Sequence, residues 1–172
     1  ARLSAITETI SKKTKLFVDC HSRFDLESSY FLHDELLDRN VNWFEEPVDP
    51  EKNQKDMIQI NNFSKITTAG AEMAYGKTLM KTLLQKNVLD VVMPDVKFCG
   101  GPMEVMALDQ SIDNGNNSIS MHCPSGPVSL VTSAQITSVI SSKLPLEHAV
   151  DEVSWRKELI IPNENIKEGQ YI

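Results

Sequence analysis

VNWFEEP, residues 41–47, is an apolar run that ends on a carboxylate, Glu45, followed at once by a second, Glu46. The same arrangement stands on either side of it: LFVDCH (16–21) carries Asp19, TTAGAEM (67–73) carries Glu72 and VVMPD (91–95) carries Asp95. His122 in SISMHCPSGP (118–127) and Glu147 in LPLEHAV (144–150) continue the series, at intervals of 23 to 27 residues throughout. A period of that size is one strand plus one helix, so the chain reads as consecutive βα units of an α/β protein. In a (β/α) barrel of the TIM type, the C-terminal ends of the strands open into one shared mouth. Carboxylates delivered there by three neighbouring strands repel one another unless a cation joins them, which points to a divalent metal site.

The segments between the acidic positions fit this alternation. An amphipathic stretch from Ala1 to Lys15 reads as a helix, followed by a strand at Leu16–Cys20 and a helix at Leu26–Asp38. Strands are predicted at Val41–Glu45, Ile66–Ala69, Val88–Pro94, Ser118–His122 and Leu146–Ala149. Helices are predicted at Gln54–Phe63, Gly76–Asn87, Pro102 to about Ile112 and Pro127–Ser142. Pro102 suits an early helical position, where the missing N–H removes no hydrogen bond. That gives six strands of the eight a closed barrel needs, so the chain is expected to be a barrel fragment covering about strands 3 to 8. Residues 150–172 lose the period and gain charge and turn residues, the signature of a tail packed on something outside the barrel.

Composition narrows the function classes. The net charge is −7, with no basic stripe and no interleaving of basic and aromatic residues, so a nucleic-acid partner is not expected. No apolar run approaches a membrane span and the N-terminus lacks a signal-peptide pattern, so the expectation is a cytoplasmic protein without a membrane partner. Cys20, Cys99 and Cys123 are odd in number and lack CxxC spacing, which favours buried reduced thiols over disulfides or a zinc site. Gly100 and Gly101 before a predicted helix need no more than turn geometry to explain them.

Asp19, Glu45 and Glu72 supply hard oxygen ligands suited to Mg2+, which keeps positions open for water or substrate oxygens. His21 and His122 lie at strand ends, and Asp95 precedes His122 by one strand. A carboxylate beside an imidazole orients it and raises its pKa, making it a competent base near neutrality. If the first strand continues past Cys20, parity puts Asp19 and His21 on one face. The implied chemistry is proton abstraction beside a metal-bound carboxylate, the metal stabilising the enediolate that forms.

In order and spacing, VDCH, WFEEPV, AGAE, MPDVKFCGG, HCPSGP and LEHAV resemble the enolase superfamily, and within it the mandelate racemase-like group. The resemblance implies that Glu45 rather than Glu46 is the ligand, alongside Asp19 and Glu72, with Glu46 in a neighbouring structural role. It implies that Asp95 and His122 form the family's His-Asp dyad and that Glu147 hydrogen-bonds the substrate carboxylate. VDCHSRFD is similar to the DxHGR element of sugar-acid dehydratases of the galactonate and gluconate type, in which the histidine protonates the departing hydroxyl; here that residue is His21. Ser22 departs from the pattern, which has Gly at that place.

The resemblance also implies an N-terminal capping domain and two earlier barrel strands, the second often carrying a catalytic Lys. The expected organisation is therefore a partial barrel catalytic domain at 1–149 and a C-terminal tail at 150–172 that packs toward the absent capping domain. The function expected is that of a Mg2+-dependent hydro-lyase converting a small sugar acid to a 2-keto-3-deoxy acid, in a homo-oligomeric assembly. A racemase or epimerase of a 2-hydroxy acid on the same scaffold, and a catalytically inactive structural homologue, stand as alternatives.

Overall fold

The computed structural model describes residues 2–112, 118–150 and 153–172. Ala1, where the first predicted helix begins, and residues 151–152 of the predicted tail lie outside the described residues. The elements follow the predicted alternation: helix α1 (Arg2–Thr9), strand β1 (Phe17–Asp19), α2 (Leu26–Leu37), β2 (Trp43–Glu45), α3 (Gln54–Phe63) and β3 (Thr67–Gly70). They continue with α4 (Lys77–Gln85), β4 (Val91–Val92), α5 (Pro102–Asp109) and α6 (Pro127–Val139), then a 3-10 turn at Ser154–Glu158 and a hairpin of β5 (Ile166–Lys167) and β6 (Gln170–Tyr171). The order in the main sheet is β1-β2-β3-β4, and the ladders β1–β2 and β2–β3 are parallel. Parallel strands joined by helices are the βα units of a TIM-type barrel, and the α/β fold class is as expected. No helix among the described residues is long and apolar enough to cross a membrane.

The chain divides into two compact units, Ala1–Ala71 with Leu83–Val91, and Glu72–Thr82 with Val92–Ile172. In the first unit, register pairs Phe17 with Trp43 and Trp43 with Thr67, and Asp19 with Glu45 and Glu45 with Ala69. The two carboxylates therefore occupy equivalent positions at the C-terminal ends of adjacent strands. Their strands are fixed by buried apolar groups, Phe44, Leu36, Met57 and Ile60 among them, each almost without solvent exposure. Polar groups set the register of β3: the Thr68 N–H donates to Asp90 Oδ2 at 3.0 Å, and the Thr68 hydroxyl donates to Asn61 Oδ1 at 2.6 Å. His33, buried on α2, receives the Lys65 N–H on Nε2 at 3.1 Å, which anchors the start of the chain leading into β3. The Asp25 carboxylate caps α2 by accepting the Ser28 N–H at 2.8 Å, as an N-cap should.

In the second unit, the segment predicted as strand Ser118–His122 pairs with β4 and its extension through a single bridge, Val92 to Ile119. The hydrogen bonds nevertheless run on: Ser120 N–H to Val92 O at 3.1 Å and His122 N–H to Pro94 O at 3.2 Å. The predicted strand Leu146–Ala149 does not form as an element, but its Glu147 N–H donates to Met121 O at 3.0 Å. Pro94 carries no N–H and joins the pairing only as an acceptor, through its carbonyl.

Helix α1 stops at Thr9, short of the predicted Lys15, with Ser11 already accepting the Thr14 N–H in a turn. In the tail, Arg156 donates to both carboxylate oxygens of Glu164, at 2.8 and 3.0 Å, and to the Ser125 carbonyl at 2.8 Å. Arg156 thus ties the tail to the loop that follows His122.

Candidate active site

In the first unit, β1 ends at Asp19, and the chain then turns through His21 (φ 48) and Ser22 (φ 54). The parity premise for His21 therefore fails, because the strand conformation does not continue past Cys20. The turn achieves the juxtaposition instead. The His21 N–H donates to Asp19 Oδ1 at 2.8 Å, and its Nε2 lies 2.6 Å from Asp19 Oδ2. A left-handed pair of non-glycine residues is costly, and Gly would take the place of Ser22 with less strain. Ser22 is retained by its own hydroxyl, which donates to Glu46 Oε2 at 3.0 Å, while its N–H donates to the Glu46 carbonyl at 2.7 Å.

Glu45 and Glu46 part company at the end of β2. Glu46 has φ 38, and its other carboxylate oxygen accepts the Ala71 N–H at 2.8 Å. It stitches the turns after β1 and β3 to the end of β2, a structural role. Glu45, largely buried, accepts the indole N–H of Trp43 at 3.0 Å, which fixes the carboxylate's orientation. Trp43 was not singled out from the sequence, although WFE at a strand end puts positions 43 and 45 on one face.

Gly70 holds Glu46 in place by having no side chain. A Cβ there would meet Glu46 Cγ at 2.5 Å, and its φ of 151 disfavours any L side chain. Gly70→Ala is expected to cost about 2–4 kcal/mol, from overpacking and backbone strain together. Chemical denaturation of the full-length protein checks this, and an unchanged midpoint contradicts it.

In the second unit, three sequence-predicted carboxylates meet on the imidazole of His122. His122 Nδ1 lies 2.9 Å from Asp95 Oδ2, and Nε2 lies 2.9 Å from Glu72 Oε2 and 3.6 Å from Glu147 Oε2. Asp95 is fully buried and His122 nearly so. Burial pulls the imidazole's pKa down, but the hydrogen bond to Glu72, the charge of Glu147 and the hydrogen bond to Asp95 outweigh it and lift His122 to about 9. Glu147 also accepts the Cys123 N–H at 3.3 Å, which holds its carboxylate beside the imidazole. Lys97, which drew no attention in the sequence, places its ammonium 3.3 Å from Asp95 Oδ2.

The three cysteines are free and buried. Burial, reinforced by the charges of Asp19 and Glu45, pushes the Cys20 thiol up to about 12, and burial raises Cys99 and Cys123 as well. All three are poor thiolates, in keeping with the reading of inert thiols. Gly100 (φ 99) and Gly101 (φ 91) adopt the left-handed backbone of a turn ahead of α5, as turn geometry requires.

The family model described as Enolase C-terminal domain-like matches residues 1–172. A D-xylonate dehydratase of Haloferax volcanii is 29% identical over 97% of this chain and 40% of its own length. An arabinonate dehydratase of Saccharolobus solfataricus is 24% identical over 82% of this chain and 38% of its own. The chain thus spans about two-fifths of the length of these curated relatives. Among solved structures, a member of the enolase superfamily from Salmonella Typhimurium superposes with a TM-score of 0.86 at 22% identity, covering 99% of this chain and 43% of the other. The 3,6-anhydro-D-galactonate cycloisomerase from Zobellia galactanivorans gives 0.84 at 22% identity, covering 97% and 47%. With every ordered motif present and the family model matched from end to end, the chain belongs to the Enolase C-terminal domain-like family, whose (β/α) barrel it covers in part.

Proposed function

We propose that the full-length protein is a Mg2+-dependent sugar-acid dehydratase, with this chain supplying its metal ligands and its proton-transfer groups. The observation that carries the reading is the buried imidazole of His122, gripped on Nδ1 by Asp95 and faced on Nε2 by Glu72 and Glu147. The curated relatives named as D-xylonate and arabinonate dehydratases support the substrate class.

Asp19, Glu45 and Glu72 are the proposed ligands. The donor set fits a hard divalent cation, because it consists of carboxylates at the ends of consecutive strands, with Asp19 and Glu45 in register. Mg2+ bound there would supply Lewis-acid stabilisation of negative charge developing on the substrate carboxylate. Glu72 has a double part. Turned toward a cation, it would no longer occupy His122 Nε2, and the negative charge that lifts the imidazole to about 9 would be neutralised. His122 would then titrate lower, and its neutral form would be more populated near physiological pH.

His122 Nε2 takes the proton from carbon 2 of the sugar acid, leaving an enediolate; Glu147 in its acid form donates a hydrogen bond to the substrate carboxylate. His21 donates a proton to the hydroxyl departing from carbon 3, so one water is lost and an enol remains, which tautomerises to the 2-keto-3-deoxy acid. The His21 Nε2, 2.6 Å from Asp19 Oδ2, is held beside the first of the proposed ligands. Incubating the full-length protein and Mg2+ with a panel of aldonic acids and assaying 2-keto acid formation tests the proposal. Turnover of at least one supports it, and interconversion of epimers without loss of water replaces it with the racemase or epimerase reading.

The remaining organisation is part of the same proposal. Residues 1–149 would form part of the catalytic barrel and 150–172 a tail toward a capping domain supplied elsewhere in the protein, in a cytoplasmic homo-oligomer.

A further inference from the structure

From His122 the chain runs through Cys123-Pro124-Ser125-Gly126 into α6, which begins at Pro127. Two prolines in five residues leave this loop few N–H groups with which to fix itself. The Cys123 N–H donates to Glu147 Oε2 at 3.3 Å, so the loop that starts at His122 also holds Glu147. Its Ser125 carbonyl is held from far along the sequence: Arg156 Nη1 donates to it at 2.8 Å, across 31 residues. Nε and Nη2 of the same guanidinium donate to the two carboxylate oxygens of Glu164, at 2.8 and 3.0 Å. A bidentate pair of this kind fixes the plane of the guanidinium, and with it the direction in which Nη1 points. The pair is not a surface one: 16% of the Arg156 side chain and 13% of that of Glu164 are accessible, and Ser125 is buried.

We propose that Arg156, oriented by Glu164, is a positioning residue of the proton-transfer site, acting through the Ser125 carbonyl on the loop that carries His122 and holds Glu147. The inference rests on the reading of His122 as the base and Glu147 as the partner of the substrate carboxylate. Upstream, His122 is held by its N–H on Pro94 O at 3.2 Å. Downstream, the guanidinium grips main chain three residues on, where no side-chain rotation can absorb a shift. Proton transfer from carbon depends steeply on the placement of the base, and a displacement on the order of 1 Å caused outside the reacting groups can cost about 100-fold. A guanidinium that served only to pin the tail would leave turnover unchanged when removed.

The test uses the full-length protein loaded with Mg2+. The double variant Arg156→Met, Glu164→Gln removes both charges of the pair together, so neither is left buried without the other. It is expected to lower kcat by about 10–100-fold. Mg2+ affinity should stay within about threefold, because Asp19 and Glu45 stand on β1 and β2 in the first unit. Arg156→Lys keeps the charge but lacks the fork that serves Glu164 and Ser125 at once, and should recover only a minor part of the loss. Amide hydrogen exchange, read by mass spectrometry without substrate, should rise over residues 120–130 as well as 154–167 in the double variant. Wild-type kcat there, an equal loss of Mg2+ affinity, full recovery by Arg156→Lys, or a rise in exchange confined to 154–167 overturns the inference. Should the double variant fail to fold, Glu164→Gln alone decides: it is expected to give a smaller loss of kcat with raised exchange over 120–130, and wild-type values in both overturn the inference. His122→Asn in the same assay separates the two claims. If it is inactive while the double variant matches wild type, the Arg156 role alone fails, and if it retains turnover the base assignment fails.

Discussion

His122→Asn in the full-length protein is expected to abolish both dehydration and the exchange of the carbon-2 proton with solvent. Asn keeps a polar group of similar reach but cannot accept a proton, so the contribution of a positioned general base, about 10^2–10^4-fold, is lost. The side chain lies against Asp95, Glu72 and Glu147, and a neutral amide can still hydrogen-bond the carboxylates, so the fold should survive the change. Steady-state turnover and proton NMR in D2O together check the prediction. Persistent exchange would assign the base elsewhere.

Glu45→Gln should remove Mg2+ binding and activity together. The substitution preserves volume and leaves an oxygen for the Trp43 indole, but it removes one formal charge from a three-carboxylate site. The expected loss of affinity exceeds the roughly 10–100-fold typical of residues that only orient a ligand. Glu46→Gln should be much milder. Its oxygen can still take the Ala71 N–H, and the Ser22 hydroxyl can reverse its sense and accept from the new amide. Titration calorimetry with Mg2+ on both variants decides the matter, and equal losses would undo the distinction drawn between the two neighbours.

That distinction shows what the sequence could and could not reveal. The period of carboxylates and histidines was enough to fix the βα alternation, since each apolar run had to end where a polar group could reach solvent or substrate. The choice of Glu45 over Glu46 as ligand came only from resemblance; the structure shows a backbone at φ 38 that sends Glu46 to Ser22 and Ala71. Backbone turns were the weak point. Neither His21 nor Ser22 looks like a left-handed residue, yet their turn, not strand parity, brings His21 to Asp19. The terminal hairpin was missed for a related reason: its turn is Glu168-Gly169 (φ 50 and 74), which lacks the Asn-Gly or Asp-Gly signature that marks such turns. Lys97 was missed because a lysine two residues past a strand end reads as surface, and only the carboxylate geometry shows that its ammonium reaches a buried group.

The division of labour between the two histidines is the centre of the account, and one measurement addresses it most directly. Wild type and His21→Asn would each be incubated with Mg2+ and the sugar acid that is turned over, in D2O, and followed by NMR. With His122 intact, carbon 2 can still lose its proton, but the carbon-3 hydroxyl no longer has its acid. The account predicts that in His21→Asn deuterium enters at carbon 2 while the 2-keto-3-deoxy acid fails to accumulate. Dehydration at the wild-type rate in that variant would contradict it.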